Sequence, residues 1–402
     1  MPKIILFNDK KDCCGCGACF NICPKGAISM KQDDRGFLYP EIDDDKCVQC
    51  GMCNKVCAYK NGAEKVEDKQ ACYAFTNNNI DELNRSSSGG AFSAIVDAIY
   101  SMDGDNITVY GTIIDSEMNI MHKSASERTD CNAFCTSKYV QSNMNDCFKQ
   151  VETNLKDGKA VLYTGTPCQI AAVRSYVSKK NINDENLFLV DIICHGTPSP
   201  GLWKNYVSWM EKKFGKMKEF SFRYKAAGWR GYPAMAKFEN GKELVYDQYT
   251  QVFTNLFFTH KALRESCYSC QYANMNRPGD LTIGDYWGAE TILKNEIDAG
   301  TFVQKKGISE IIVNSSKGSK LMNKIMEGKS CVLSETDAYI KYQHNLNAPT
   351  ERPEGTDRLW DEYNTNGADF VIKKYGKPRL KQRIKMMIPP NVKEGIKKII
   401  RK

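Results

Sequence analysis

Two runs of four cysteines with the same spacing constrain this chain more than any other feature. Cys13-x2-Cys16-x2-Cys19-x3-Cys23 is followed 34 residues later by Cys47-x2-Cys50-x2-Cys53-x3-Cys57. Half of the 18 cysteines in the 402 residues lie before residue 58. Three cysteines at this spacing wrap a tight loop around one cubane and supply three thiolates. The fourth leads into a helix that points away, and it serves the other cluster. Cys13, Cys16, Cys19 and Cys57 are thus expected on one [4Fe-4S] cluster, and Cys47, Cys50, Cys53 and Cys23 on a second. Zinc sites instead use two cysteine pairs set further apart. Gly15, Gly17 and Gly51 give the loops backbone freedom close to sulfur. Cys14 is an extra thiol, a bystander or a substitute for Cys13 in another register.

Residues 1–60 resemble a bacterial two-cluster ferredoxin, with Ala58 where a proline usually follows the last cysteine. Between the runs, residues 27–46 read as a hairpin around Asp33-Asp34-Arg35-Gly36. The opening residues hold only four consecutive apolar side chains, too few for a signal peptide, and no stretch reaches the length of a membrane span. A cytoplasmic location follows as an expectation, with cysteines that are inert or metal-bound rather than bridged. Hydrophobic residues make up 42% of the chain, enough for a sizeable core.

From Ala71 the pattern turns to alternating strands and helices. Strands are expected at 71–76, 107–114, 159–163, 187–194, 220–224, 233–238, 281–285 and 308–313. Helices are expected at 90–101, 144–155, 168–177 and 202–214. The fold class is α+β and α/β: a small ferredoxin-like unit (1–62), a mixed α/β unit (70–345), which the resemblance described next implies to be flavin-binding, and a basic helical extension (346–402). The loop Ser86–Gly90, expected between a strand and a helix, suits either a phosphate or an ordinary serine cap. The loop Thr164–Gln169 has Pro167 placed for a first helical turn. No dinucleotide-type glycine motif is present. Cys168 and Cys194 each follow a strand at one edge of the expected sheet. With the pair Cys267-x2-Cys270 they can form a third four-thiolate site; a zinc site or a redox dithiol remain alternatives.

These motifs in this order resemble the beta subunit of coenzyme F420-reducing hydrogenase and its relatives. They are S-S-G-G-A-F at 87–92, S-K-Y-V-Q-S at 137–142, T-G-T-P-C-Q at 164–169, C-H-G at 194–196, and D-L-T-I-G-D-Y-W-G at 280–288. The resemblance covers about residues 70–340 and implies FAD beside a [4Fe-4S] cluster. By motif, Ser87, Ser88, Gly89, Gly90, Lys138, Tyr139, Gln141, Ser142, Thr166 and Pro167 would line the FAD. Cys168, Cys194, Cys267 and Cys270 would hold the cluster. Phe134-Cys135-Thr136 departs from the Arg-Gly that many relatives carry at the lip of that pocket.

Catalytic candidates are His195, beside a proposed ligand, and Arg223 and Lys225, in a basic and aromatic stretch that also holds Arg230 and suits an anionic substrate. The same stretch reads equally as a strand with cross-strand aromatic packing. His122, His260 and His344 are taken as structural. Residues 371–402 carry twelve Lys/Arg and the single acid Glu394, so the rest of this +8 chain is mildly acidic. Leu380, Ile384, Met387 and Ile388, then Val392, Ile396, Ile399 and Ile400, outline two basic amphipathic helices. Such helices fit the inner face of a membrane, an acidic partner or the body itself. The expected function is ferredoxin-linked oxidoreduction with a small organic substrate. A low-potential carrier such as ferredoxin would be its redox partner, and no nucleic acid is expected. F420 as substrate and a non-catalytic electron-transfer role within a complex are the alternatives.

Overall fold

The computed structural model describes residues 3–62, 70–227, 229–327, 330–334, 336–378 and 380–387. In the N-terminal part, β1 (Ile28–Gln32) and β2 (Leu38–Ile42) form the expected antiparallel hairpin. Its turn is made by Asp33, whose carboxylate accepts the N–H groups of Arg35 and Phe37 at 3.1 and 2.8 Å. Each cysteine run closes on a short helix, Ala18–Ile22 and Met52–Lys55. Gly17 and Gly51 start these helices at φ of 75° and 72°, where other residues would be strained.

The body continues with β3 (Ala71–Thr76), β4 (Ile107–Ile114), β5 (Ile120–Ala125), β6 (Ala160–Gly165) and β7 (Leu187–Ile192). Then come β8 (Met217–Ser221), β9 (Met235–Phe238), β10 (Glu243–Val245), β11 (Leu281–Asp285), β12 (Ser309–Val313) and β13 (Ser330–Ser334). Eight of them build one mixed sheet in the order β13-β3-β12-β11-β7-β6-β4-β5, and β10-β9-β8 form a small antiparallel sheet. The pairs β4–β6, β6–β7 and β7–β11 are parallel; the margins are antiparallel. The central strands are buried apolar runs, as a sheet covered on both faces requires. Ile95, Ile99, Leu321 and Ile325 cover one face, and Phe148, Val151, Ile170 and Val173 the other.

The departures from the sequence reading have local causes. β5 and β13 are edge strands with weak apolar patterns, the least legible kind. The stretch expected as a strand through Tyr224 leaves the sheet at Ser221 and enters a short turn at Lys225–Ala227. A helix, Ile80–Arg85, precedes the loop Ser86–Gly90, which therefore joins two helices. Asn79 caps that helix by accepting the N–H groups of Asp81 and Glu82.

The ferredoxin-type domain shares its core with the body. Ala18, Ile22 and Val56 pack in one apolar cluster with Phe148, Tyr163, Ile170 and Val173. At another contact the Gly201 N–H donates to the Gly36 carbonyl at 3.1 Å. A Cβ on Gly36 would come within 2.6 Å of the Gly201 Cα, so both backbones need glycine there. Arg35 pairs with Glu265 at 2.5 Å across the same contact. The helix Leu380–Met387 keeps Leu380 and Ile384 exposed. The second tail helix, from Val392, and most of the expected linker at 62–70 lie outside the described residues. Among the described residues, no helix is long and apolar enough to cross a membrane.

Candidate metal centres

Three cysteine-lined cavities follow one another from the N-terminal domain into the body. The first is walled by Cys23, Cys47, Cys50 and Cys53. Cys13, Cys16, Cys19 and Cys57 line the second, together with Cys14 and Cys53. The third is walled by Cys168, Cys194, Cys267 and Cys270, again with Cys14. Neighbouring cavities share walls: Cys53 borders the first two, and Cys14 and Tyr59 border the second and third. Each group of four expected from the sequence thus lines one cavity.

The third set is assembled by the sheet. β6 and β7 are parallel neighbours, so their C-terminal ends lie at one edge. Pro167 opens the helix Pro167–Lys179, Thr166 caps it, and Gln169 returns the cap from the third position, setting Cys168 in the first turn. Cys194 follows β7 by two residues. Cys267 lies in, and Cys270 just after, the short turn Glu265–Ser269. That segment is tied to β7 by a buried ion pair, Arg277 to Asp191 at 2.6 Å. Arg277 also donates to the Tyr272 and Ile192 carbonyls at 2.7 and 2.9 Å, and Asp191 accepts the Gly279 N–H at 2.9 Å.

Burial pushes the Cys194 thiol well above its ordinary range, raises Cys267 and lifts Cys270 to about 12. In the second cavity it lifts Cys57 to about 11 and Cys19 well above its usual value. Cys14 works the other way on its neighbours: its S–H holds Cys16 and Cys168 down, Cys168 to about 7, while its own pKa rises. Thiols buried in this way become thiolates when a cationic centre binds. Among the described residues, no three Cys, His, Asp or Glu side chains close on a point that could hold a single metal ion. Four thiols around one cavity are a donor set that suits either a [4Fe-4S] cluster or a tetrahedral zinc.

The ten residues expected around a flavin fall into two groups. Gln141, Thr166 and Pro167 lie in the wall of the third cavity. Ser142 sits behind them, 2.9 Å from His122 Nδ1, and accepts from Gln169 Nε2 at 2.9 Å. The second group gathers around Ser87–Gly90. Ser87 Oγ accepts the Ser137 N–H at 2.8 Å, and Ser88 Oγ donates to the Ile308 carbonyl at 2.9 Å. Gly89 has a packing reason: a Cβ there would meet the Phe75 carbonyl at 2.3 Å. Gly90, at φ 84°, starts the helix Ala91–Asp103 without any side-chain cap, so the serine-cap reading of this loop does not hold. Lys138 donates to the Ala133, Phe134 and Cys135 carbonyls, and burial lowers it to about 7. The Tyr139 ring stacks on Phe257 with centroids 4.4 Å apart.

The catalytic candidates are also spread out. His195 lines the third cavity, and burial lowers its pKa to about 4, so it is neutral there near pH 7. Arg223 pairs with Asp285 at 2.5 Å, and Trp229 Nε1 donates to the other Asp285 oxygen at 3.3 Å. Two motifs far apart in sequence thereby meet. The Arg223 Nη2 is buried with no hydrogen-bond partner among the described residues. Lys225 donates to the Leu83 and Ser88 carbonyls at 2.6 and 2.5 Å, and burial, aided by Arg223, lowers it to about 7. Arg230 pairs with Glu290 at the surface. Sequence reasoning assigned no role to Arg264, Arg277 or Asp191, none of which stands in a motif or spacing that would mark it.

Comparison with known proteins adds to this geometry. Residues 12–61 match the family described as a 4Fe-4S dicluster domain, and residues 158–338 match the C terminus of the coenzyme F420 hydrogenase/dehydrogenase beta subunit. The chain is 21% identical over 346 residues to the F subunit of the F420H2 dehydrogenase of Methanosarcina mazei, covering 82% of this chain and 92% of that protein. A ferredoxin of Methanocaldococcus jannaschii is 37% identical over 49 residues, 12% of this chain and 62% of that one. A chain of the F420-reducing [NiFe] hydrogenase complex of Methanosarcina barkeri aligns at 17% identity over 78% of this chain and 91% of its own length, with a TM-score of 0.46.

Proposed function

We propose, from the match of residues 158–338 to the C terminus of the coenzyme F420 hydrogenase/dehydrogenase beta subunit and of residues 12–61 to a 4Fe-4S dicluster domain, that this chain is a ferredoxin-linked iron–sulfur flavoprotein that reduces or oxidises a small organic substrate. The observation that carries this reading is the third four-thiol cavity, which shares Cys14 and Tyr59 with the dicluster domain. Cys168, Cys194, Cys267 and Cys270 would hold a third [4Fe-4S] cluster, and the residues of the two flavin-side groups would hold FAD. When bound, clusters supply single electrons and a flavin exchanges them in pairs as hydride.

The protein's own residues support specific parts in this. The uncapped start of the helix Ala91–Asp103 presents N–H groups suited to a diphosphate. Arg223, already neutralised by Asp285, has one spare donor, suited to a carbonyl on a ring rather than to a free anion. His195, neutral beside the third cavity, can accept or donate one hydrogen bond without adding charge.

A second reading, an electron-transfer component of a larger complex, is favoured by the occupied Arg223 and Lys225. Both are engaged by partners within the chain rather than open to an anionic substrate. The experiment is anaerobic purification with iron, sulfide and acid-released flavin assayed, followed by reoxidation of the reduced protein with F420. Cys267→Ser should lower iron by about a third and leave the N-terminal signals in place. Unchanged iron removes the third cluster. Flavin absent from cluster-loaded protein removes the flavoprotein reading.

A further inference from the structure

Arg264 is almost wholly buried, yet among the described residues it pairs with no carboxylate; the adjacent Glu265 is taken by Arg35 and Arg352. Its guanidinium lies 3.9 Å from the Tyr39 ring centroid. Nε donates to the Cys13 carbonyl at 2.8 Å, and Nη1 to the Leu38 carbonyl and Gln141 Oε1 at 3.0 and 3.1 Å. Nη2 points to the Cys13 Sγ at 3.7 Å. The loop at Gly15 closes tightly over it: a Cβ there would stand 2.8 Å from the guanidinium carbon. Arg264 also lines the third cavity, three residues before Cys267.

A buried guanidinium without a counter-charge costs several kcal/mol. Arginine does not shed its proton to avoid that cost. The anions within reach are thiolates, of Cys13 on one side and of the third cavity on the other. A cluster with four thiolates is negative and gains a further electron on reduction. A fixed cation with an N–H directed at sulfur stabilises the reduced form more than the oxidised one.

We propose that Arg264 sets the reduction potentials of the two inner clusters, raising those held by the Cys13 and Cys267 sets relative to the outer one held by Cys47, Cys50, Cys53 and Cys23. Each couple is a one-electron change with no proton taken up at Arg264. The Cys267 half of the proposal rests on the third cluster of the preceding section. The Cys13 half rests on the dicluster domain alone.

The test is an EPR-monitored redox titration of the full-length, cluster-loaded protein, with iron and sulfide measured first. Wild-type protein with only two couples removes the third cluster and leaves the Cys13 half to be judged. Arg264→Gln should shift the inner couples to lower potential and leave the outer couple in place. Arg264→Lys, which keeps the charge, should stay near wild type. Unchanged inner couples in fully loaded Arg264→Gln overturn the proposal, as does an equal shift in Arg264→Lys, which would mean shape rather than charge. If Arg264→Gln fails to assemble its clusters, Gln141→Glu decides: it keeps the arginine and sets a carboxylate against it. Lowered inner couples in that variant support the proposal, and unchanged ones overturn it.

Discussion

The N-terminal cavities and the third one offer the same chemistry, four thiols each, by opposite routes. The first two draw on two short loops, each closed by a glycine at positive φ and a few helical residues. The third draws on the ends of two parallel strands and on a turn some 70 residues further along. A local site can form wherever its loop can curl. A site spread along the chain forms only if the sheet is right and the arriving loop is anchored. That anchor is a buried ion pair, Arg277 with Asp191, whereas no buried ion pair is described within the N-terminal loops.

This contrast is breakable. Asp191→Ala leaves Arg277 buried and unpaired, and should cost about 3–5 kcal/mol. Denaturant unfolding would show the loss, while iron analysis should show the third site emptied and the N-terminal pair retained. Equal loss from all three sites would mean that the two kinds of site are not independent. Gly36→Ala probes the joint between the regions. Its Cβ meets the Gly201 backbone, and its φ is 78°, so a loss of about 2 kcal/mol is expected. A variant as stable as wild type would show that the two regions do not depend on this contact.

The smallest effect concerns the loop before Ser137. Thr136 holds φ 72°, a conformation β-branched residues avoid. Thr136→Gly should relieve that strain and raise stability by at most about 1 kcal/mol, offset in part by the freer unfolded chain. A clear loss by thermal unfolding would show that the threonine side chain contributes packing that outweighs its backbone cost.

Legibility followed the same divide. The hairpin at 27–46, the central strands and the helices at 91–103 and 167–179 were readable, since a turn motif or an apolar period marked each. β5 and β13 were not, because an edge strand buries little. The third cysteine set was legible as a possibility through Cys267-x2-Cys270 and two strand ends. Arg264 was not, since a lone arginine before a turn carries no pattern. Arg223 and Lys225 read as free cations in a basic, aromatic stretch, but folding brings Asp285 and the carbonyls of Leu83 and Ser88 to them.

The sequence by itself determined how the eight N-terminal thiols group into two sets of four, each lining one cavity, because their spacing is set by the reach of a few residues around one cubane. The tertiary structure decided what lies between the centres. Cys14 ceased to be a bystander and became the shared wall of two cavities, and Arg264 became the buried cation between them. Both depend on two surfaces meeting across more than 150 residues of chain, and a contact of that range leaves no periodicity or spacing in sequence to be read.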